Sequence, residues 1–144
     1  MNSSLEGPHQ LLEAAQRLLT GKDPRSAGLW PRAAAMLGRQ ALEGALAELW
    51  RSQAPGLEEA SFKTQLLCLP AFLGTKDALA GRVNHVWWSL TRVCHYNPYR
   101  MSPTVDELND WLDTIEQFSQ AVETIRANRL LRNQTNALDL KRPA

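Results

Sequence analysis

The sequence predicts an all-α fold: a helical bundle of four long helices and one short one, followed by a disordered or frayed C-terminal tail. Three observations carry that reading. Apolar residues recur at three- and four-residue steps along most of the chain, which is the pattern of helices with one buried face. No segment alternates apolar and polar residues as a half-buried strand would, and no repeat of solenoid period or low-complexity run interrupts the pattern. The prolines stand at the edges of the periodic runs, where helices start and stop. At 144 residues, one domain is expected, and a chain of this size buries roughly 68–70% of its unfolded surface. A single core then needs no metal or disulfide. The expected division is one bundle over residues 1–131 and a flexible basic tail over 132–144.

The first helix is expected over residues 8–20, with Leu11, Leu12, Ala15, Leu18 and Leu19 on one side. Gly21, Lys22, Asp23 and Pro24 break it. The second runs over about 31–52, with Pro31 in the first turn, where its missing N–H costs nothing. Ala34, Leu37, Gly38, Ala41, Leu42, Ala45 and Leu49 make its apolar stripe. Gly38, Ala41 and Ala45 are small enough for another helix to approach closely. Arg32, Arg39, Glu43 and Arg51 fall on or near the opposite face. Ala54-Pro55-Gly56 ends it. In SFKTQLLCLPAFL, Pro70 interrupts the short helix. The next helix is expected from Gly74-Thr75, with Thr75 as N-cap and Asp77 in the first turn. It should reach about Tyr96, because Pro98 disfavours helix at Asn97. The last helix starts within SPTVDEL, capped by Ser102 or by Thr104, which forms a capping-box pair with Glu107. Leu108, Trp111, Leu112, Ile115, Ser119, Val122 and Ile125 form its stripe, which fades beyond Leu131.

Composition excludes several classes. Net charge is +1, so a globally basic nucleic-acid binder is not indicated. The charge is uneven, however: residues 126–144 carry five basic groups against Asp139, and the rest of the chain is net acidic. That tail can act as an electrostatic aid. No apolar run approaches the roughly 20 residues that span a bilayer, so no membrane partner is expected. MNSSLEGPHQ lacks the basic and apolar regions of a secretory signal, which points to the cytoplasm. Cys68 and Cys94 sit among apolar residues and read as packed free thiols. Neither CxxC nor HExxH spacing occurs, and no Gly-rich phosphate loop is present, so no metal or cofactor is expected.

The stretch with most chemistry is GRVNHVWWSLTRVCHYNPYR, residues 81–100. On a helix, Leu79, Val83, Val86, Leu90, Val93 and Cys94 face the core, with Trp87 at the edge. Arg82, His85, Ser89, Arg92 and Tyr96 share an adjoining side. Trp88 points away from the core, near Thr91 and His95. An exposed tryptophan forgoes roughly 1.5–3 kcal/mol of burial, so this helix is expected to touch something on both flanks, and a homodimer is the expected assembly. The polar side has two readings. In one, Arg92 holds a scissile phosphate and a histidine moves protons in RNA cleavage. In the other, Arg82 forms ordinary ion pairs with Asp77 or a glutamate, and His85 and His95 are satisfied at helix contacts. Tyr96, Tyr99 and Arg100, near the helix tip, can stack on a flipped base; in the plainer reading, a tyrosine closes off the end of the bundle. Asn97 can bond a phosphate or a 2′-OH.

The long helix RAAAMLGRQALEGALAELWR, the segment SFKTQLLCLPAFL and the run HVWWSLTRVCHYNPYRMSPTVDEL resemble the HEPN superfamily, and within it a small actinobacterial HEPN-like group. The resemblance covers about residues 8–127. It implies a helical bundle that usually dimerises. Many HEPN domains are metal-independent endoribonucleases of toxin–antitoxin, CRISPR or anti-phage systems; others bind RNA or nucleotide, or only assemble. Nuclease members carry an arginine and, after four to six intervening residues, a histidine at the helix tip. Arg92 fits the first position. Four, five and six intervening residues lead to Asn97, Pro98 and Tyr99, whereas His95 follows after two. The expectation is therefore a HEPN-like module that binds RNA or nucleotide, or assembles with an antitoxin or other protein. The alternative is an endoribonuclease using Arg92 and His95, with Arg82, His85, Tyr96, Asn97 and Tyr99 contacting substrate.

Overall fold

The computed structural model describes residues 7–21, 30–74, 78–95 and 98–143. Among them there is no strand. Four long helices are α1 (Pro8–Thr20), α2 (Trp30–Gln53), α5 (Leu79–Cys94) and α6 (Val105–Leu140). Between α2 and α5 lie a 3-10 turn (Leu57–Glu59) and two short helices, α3 (Phe62–Cys68) and α4 (Pro70–Leu73). Pro70 is why α3 and α4 are separate: Leu69 stays helical, but proline cannot donate the next bond of the ladder.

Helix α2 is the spine and touches all three other long helices. It does so through small residues. A Cβ on Gly38 would stand 3.0 Å from Leu112 Cδ2, 3.6 Å from Ile115 Cδ1 and 3.8 Å from Leu90 Cδ1. Glycine there lets α2, α5 and α6 meet at one point. Gly38 lies against Leu112, and Glu48 pairs with Arg126 at 3.3 Å, so α2 and α6 run in the same direction. Leu42, Leu46, Leu49, Leu90, Leu108, Leu112, Ile115 and Phe118 are fully buried around this junction. The buried polar residue Gln65 is completely satisfied. It accepts from Trp50 Nε1 at 2.9 Å and donates to the carbonyls of Ala60 and Glu58 at 2.8 and 3.2 Å.

The start of α6 is capped by Thr104. Its hydroxyl accepts from the Glu107 N–H at 3.1 Å, and its own N–H donates to Glu107 Oε2 at 2.9 Å. Two boundaries differ from the sequence reading. Helix α5 begins at Leu79 and ends at Cys94, with His95 as its C-cap; the expected cap at Thr75, Asp77 and the expected end at Tyr96 lie outside the described residues. The tail expected to fray from residue 132 is instead helical to Leu140, although every described residue from Arg126 onward is exposed. Extending an existing helix adds one bond per residue fixed and needs no apolar stripe, which is why the fading stripe misplaced the end. No helix among the described residues is long and apolar enough to cross a membrane.

Candidate functional site

Helix α5 presents a different chemistry on each flank. Toward α6, Arg82, His85, Ser89 and Arg92 follow one another at helical steps of three and four. Arg82 Nη1 donates to Gln117 Oε1 of α6 at 2.9 Å. His85 Nε2 and Ser89 Oγ lie 3.5 Å apart. Arg92 Nε donates to the Trp88 carbonyl at 3.3 Å.

At the N-terminal end of this ladder, α5 and α6 part to leave an open groove of about 460 Å³. Arg82 and His85 line it from α5, and Asp110 and Thr114 from α6. Trp111 and Val86 supply its apolar lining, with Ala78 and Gly81 at the edge. A Cβ on Gly81 would meet nothing within 4 Å, so the space beside α5 is open there. Thr114 Oγ1 is turned to its own helix, donating to the Asp110 carbonyl at 3.2 Å. The groove thus combines a guanidinium, an imidazole, a carboxylate and an indole. Arginine suits a phosphate or carboxylate, the indole suits a flat ring, and the carboxylate accepts from amino or hydroxyl groups.

Toward α2 the flank is packed. Arg32 Nη2 donates to the Cys94 carbonyl at 3.1 Å, which satisfies one of the free carbonyls at the end of α5 and sets a cation by its negative pole. Arg39 Nε donates to Glu43 Oε1 at 2.8 Å, and its guanidinium carbon is 5.6 Å from the centre of the Trp87 ring. The Glu43 bond strengthens the guanidinium as a base more than burial weakens it. Burial pushes the Cys94 thiol up, against the opposing pull of Arg39 and Arg32. Among the described residues, Trp87 Nε1 and Thr91 Oγ1 are buried without a hydrogen-bond partner. Trp87 also packs on Phe62 and on Trp88, with ring centres at 5.4 and 4.9 Å.

Of the residues singled out in the sequence, the groove brings together Arg82 and His85. Arg92 lies on the same ladder but in the last turn of α5, exposed and outside the groove. His95 is exposed in extended backbone (φ −83°, ψ 114°), the first residue off the helix. Tyr99 is 95% exposed beyond it. Tyr96 and Asn97 lie outside the described residues. Arg82 bonds Gln117; of the partners the plainer reading offered it, Asp77 lies outside the described residues, and among those residues no glutamate pairs with it. Asp110 and Thr114 were not anticipated, and Trp111 was read only as core; a threonine one turn beyond Asp110, on the buried side of α6, was the available signal. Arg39 and Glu43, read on or near the face of α2 opposite its apolar stripe, are half-buried, with Arg39 beside Trp87 of α5. Among the described residues, no group of three or more His, Cys, Asp or Glu side chains could hold a metal ion. Comparison with protein families, with characterised proteins and with solved structures finds no match to this chain.

Proposed function

We propose that the protein is a HEPN-like helical module, a homodimer that binds RNA or a nucleotide at the α5–α6 groove, and that it serves by binding and assembly rather than by turnover. The observation that carries this reading is the meeting of Arg82 and His85 with Trp111 and Asp110 in one groove of about 460 Å³. A phosphate bonded to Arg82 gains a charge-assisted contact of about 1.5–3 kcal/mol. A base on Trp111 and a ribose hydroxyl on Asp110 complete a nucleotide-sized set of contacts. Arg92, on the same ladder, extends the cationic path toward the far end of α5 for a longer strand. Trp88, 42% exposed beside buried Trp87, offers an apolar contact to a second copy or to a protein partner such as an antitoxin.

A second reading, a metal-independent endoribonuclease, draws on one observation: Arg92 in the last turn and His95 just off the helix are both open to solvent. Labelled single-stranded RNA in metal-free buffer separates the two. Under the binding reading, Arg82→Ala weakens binding about tenfold or more, His85→Ala weakens it less, and the RNA stays intact. Cleavage that disappears in both Arg92→Ala and His95→Ala would replace binding with catalysis. Binding untouched by Arg82→Ala would remove the groove.

A further inference from the structure

From residue 126 onward α6 leaves the core. Residues 126–140 make about 22 Å of helix at about 1.5 Å per residue, and all of them are exposed. The two sides of this extension differ. Ala127, Leu130, Leu131, Ala137 and Leu138 fall on one; Arg126, Asn128, Arg129, Arg132, Asn133 and Asn136 fall on the other. Arg126 is held by Glu48, whereas Arg129 and Arg132 make no ion pair among the described residues. Asp139, one heptad beyond Arg132, and Leu140 fall on the arginine–asparagine side as well, and Lys141 and Arg142 follow the helix.

Ten of these fifteen residues are Ala, Leu, Arg or Gln, strong formers that carry the helix on past the core; the three asparagines are among the weaker formers, and helix propensity does not account for them. Arginine and asparagine are the side chains that bond phosphates and base edges. Such a side is complementary to an anion, and about 22 Å of it offers contacts to successive phosphates of a polymer. No aromatic residue lies in 126–144, so the stacking that holds single strands is missing. A helix about 10–12 Å across fits the major groove of B-form DNA, about 12 Å wide, and not the deep, narrow groove of an RNA duplex. The six acids of the first half of α6, Asp106 to Glu123, are unaccompanied by any base. Much of the extension lies farther from them than the screening length of about 8 Å at physiological salt, so their repulsion is damped there.

We propose that the exposed end of α6 is a DNA-binding helix that lays its arginine–asparagine side in the major groove of a duplex. The surface is distinct from the α5–α6 groove, and the proposal does not depend on what the groove holds.

The test is fluorescence anisotropy of the full chain with a labelled 20-base-pair DNA duplex at several salt concentrations, with circular dichroism to check helix content. Arg129→Ala/Arg132→Ala should lower affinity at least tenfold and reduce the log–log salt slope by about two. Arg17→Ala on α1, and Leu131→Gln/Leu138→Gln on the other side of the extension, should leave it within twofold. Wild-type protein that does not bind the duplex at low salt, or a double arginine variant that binds as well as wild type, would overturn the proposal. Loss confined to the leucine variant would move binding to the other side and overturn it too. Tighter binding of an RNA stem or a single strand would replace DNA with RNA. A null result with nucleotide at the groove leaves this outcome untouched, and the converse holds.

Discussion

Residues 105–125 and 126–140 belong to one unbroken helix, α6. In the first half, Leu108, Leu112, Ile115, Phe118 and Val122 are buried against α2 and its neighbours, and all six charged residues are acidic. In the second half nothing is buried, Leu130, Leu131 and Leu138 are more than 60% exposed, and the charge is predominantly basic. Backbone hydrogen bonding is the same in both. The difference shows that helix formation and helix packing are separate events: the first is local and cheap to propagate once begun, and the second needs a partner surface. The first half has α2, whose Gly38 admits it closely. The second has outrun the bundle.

Substitutions in the two halves should therefore behave as if they belonged to two proteins. Phe118→Ala or Leu112→Ala removes a fully buried side chain and should cost about 3–5 kcal/mol by urea denaturation. Leu131→Ala, with a side chain of similar size in the same helix, should stay within about 0.5 kcal/mol. A cost of several kcal/mol at Leu131 would break the comparison, because it would mean that something covers the extension. Thr104→Ala, which removes the cap of the first half, should cost about 1 kcal/mol. The loss should show in melting temperature, with residues 126–140 still helical.

The bundle was legible because its pattern is local. The stripes on α1, α2, α5 and α6, the break at Pro70 and the Thr104–Glu107 cap all follow from residues within a few positions of each other. The site was only half legible. Arg82, His85 and Arg92 could be put on one side of α5 from their spacing. That Asp110 and Thr114 stand across from Arg82 and His85 depends on how α6 is rotated against α5, which no local pattern encodes. The same limit applies to Arg39 and Glu43: their spacing puts them opposite the apolar stripe of α2 but does not show that Trp87 of α5 stands beside Arg39 there. The end of α6 was missed for the opposite reason: Leu130, Leu131 and Leu138 stand off the line of the buried stripe formed by Leu108 to Ile125, so they do not read as its continuation.

A smaller effect belongs to α5 alone. Burial raises the Cys94 thiol above its ordinary 9.0, so the fold favours the protonated form. The resulting stabilisation is complete below about pH 9 and is lost as pH rises through the raised value. The stability advantage of wild type over Cys94→Ala should accordingly shrink above pH 9, while neither half of α6 changes. An advantage that grows with pH would mean that Arg39 and Arg32 outweigh burial.

The central claim is that the α5–α6 groove receives an anionic, ring-bearing ligand. The most direct measurement is backbone amide NMR of the labelled full chain titrated with adenosine monophosphate and then with a short RNA strand. Saturable shifts are expected, confined to Gly81, Arg82, His85, Val86 and their neighbours on α5, and to Asp110, Trp111 and Thr114 on α6. Shifts centred instead on His95 and Tyr99, or no saturable shift with either ligand, would contradict it.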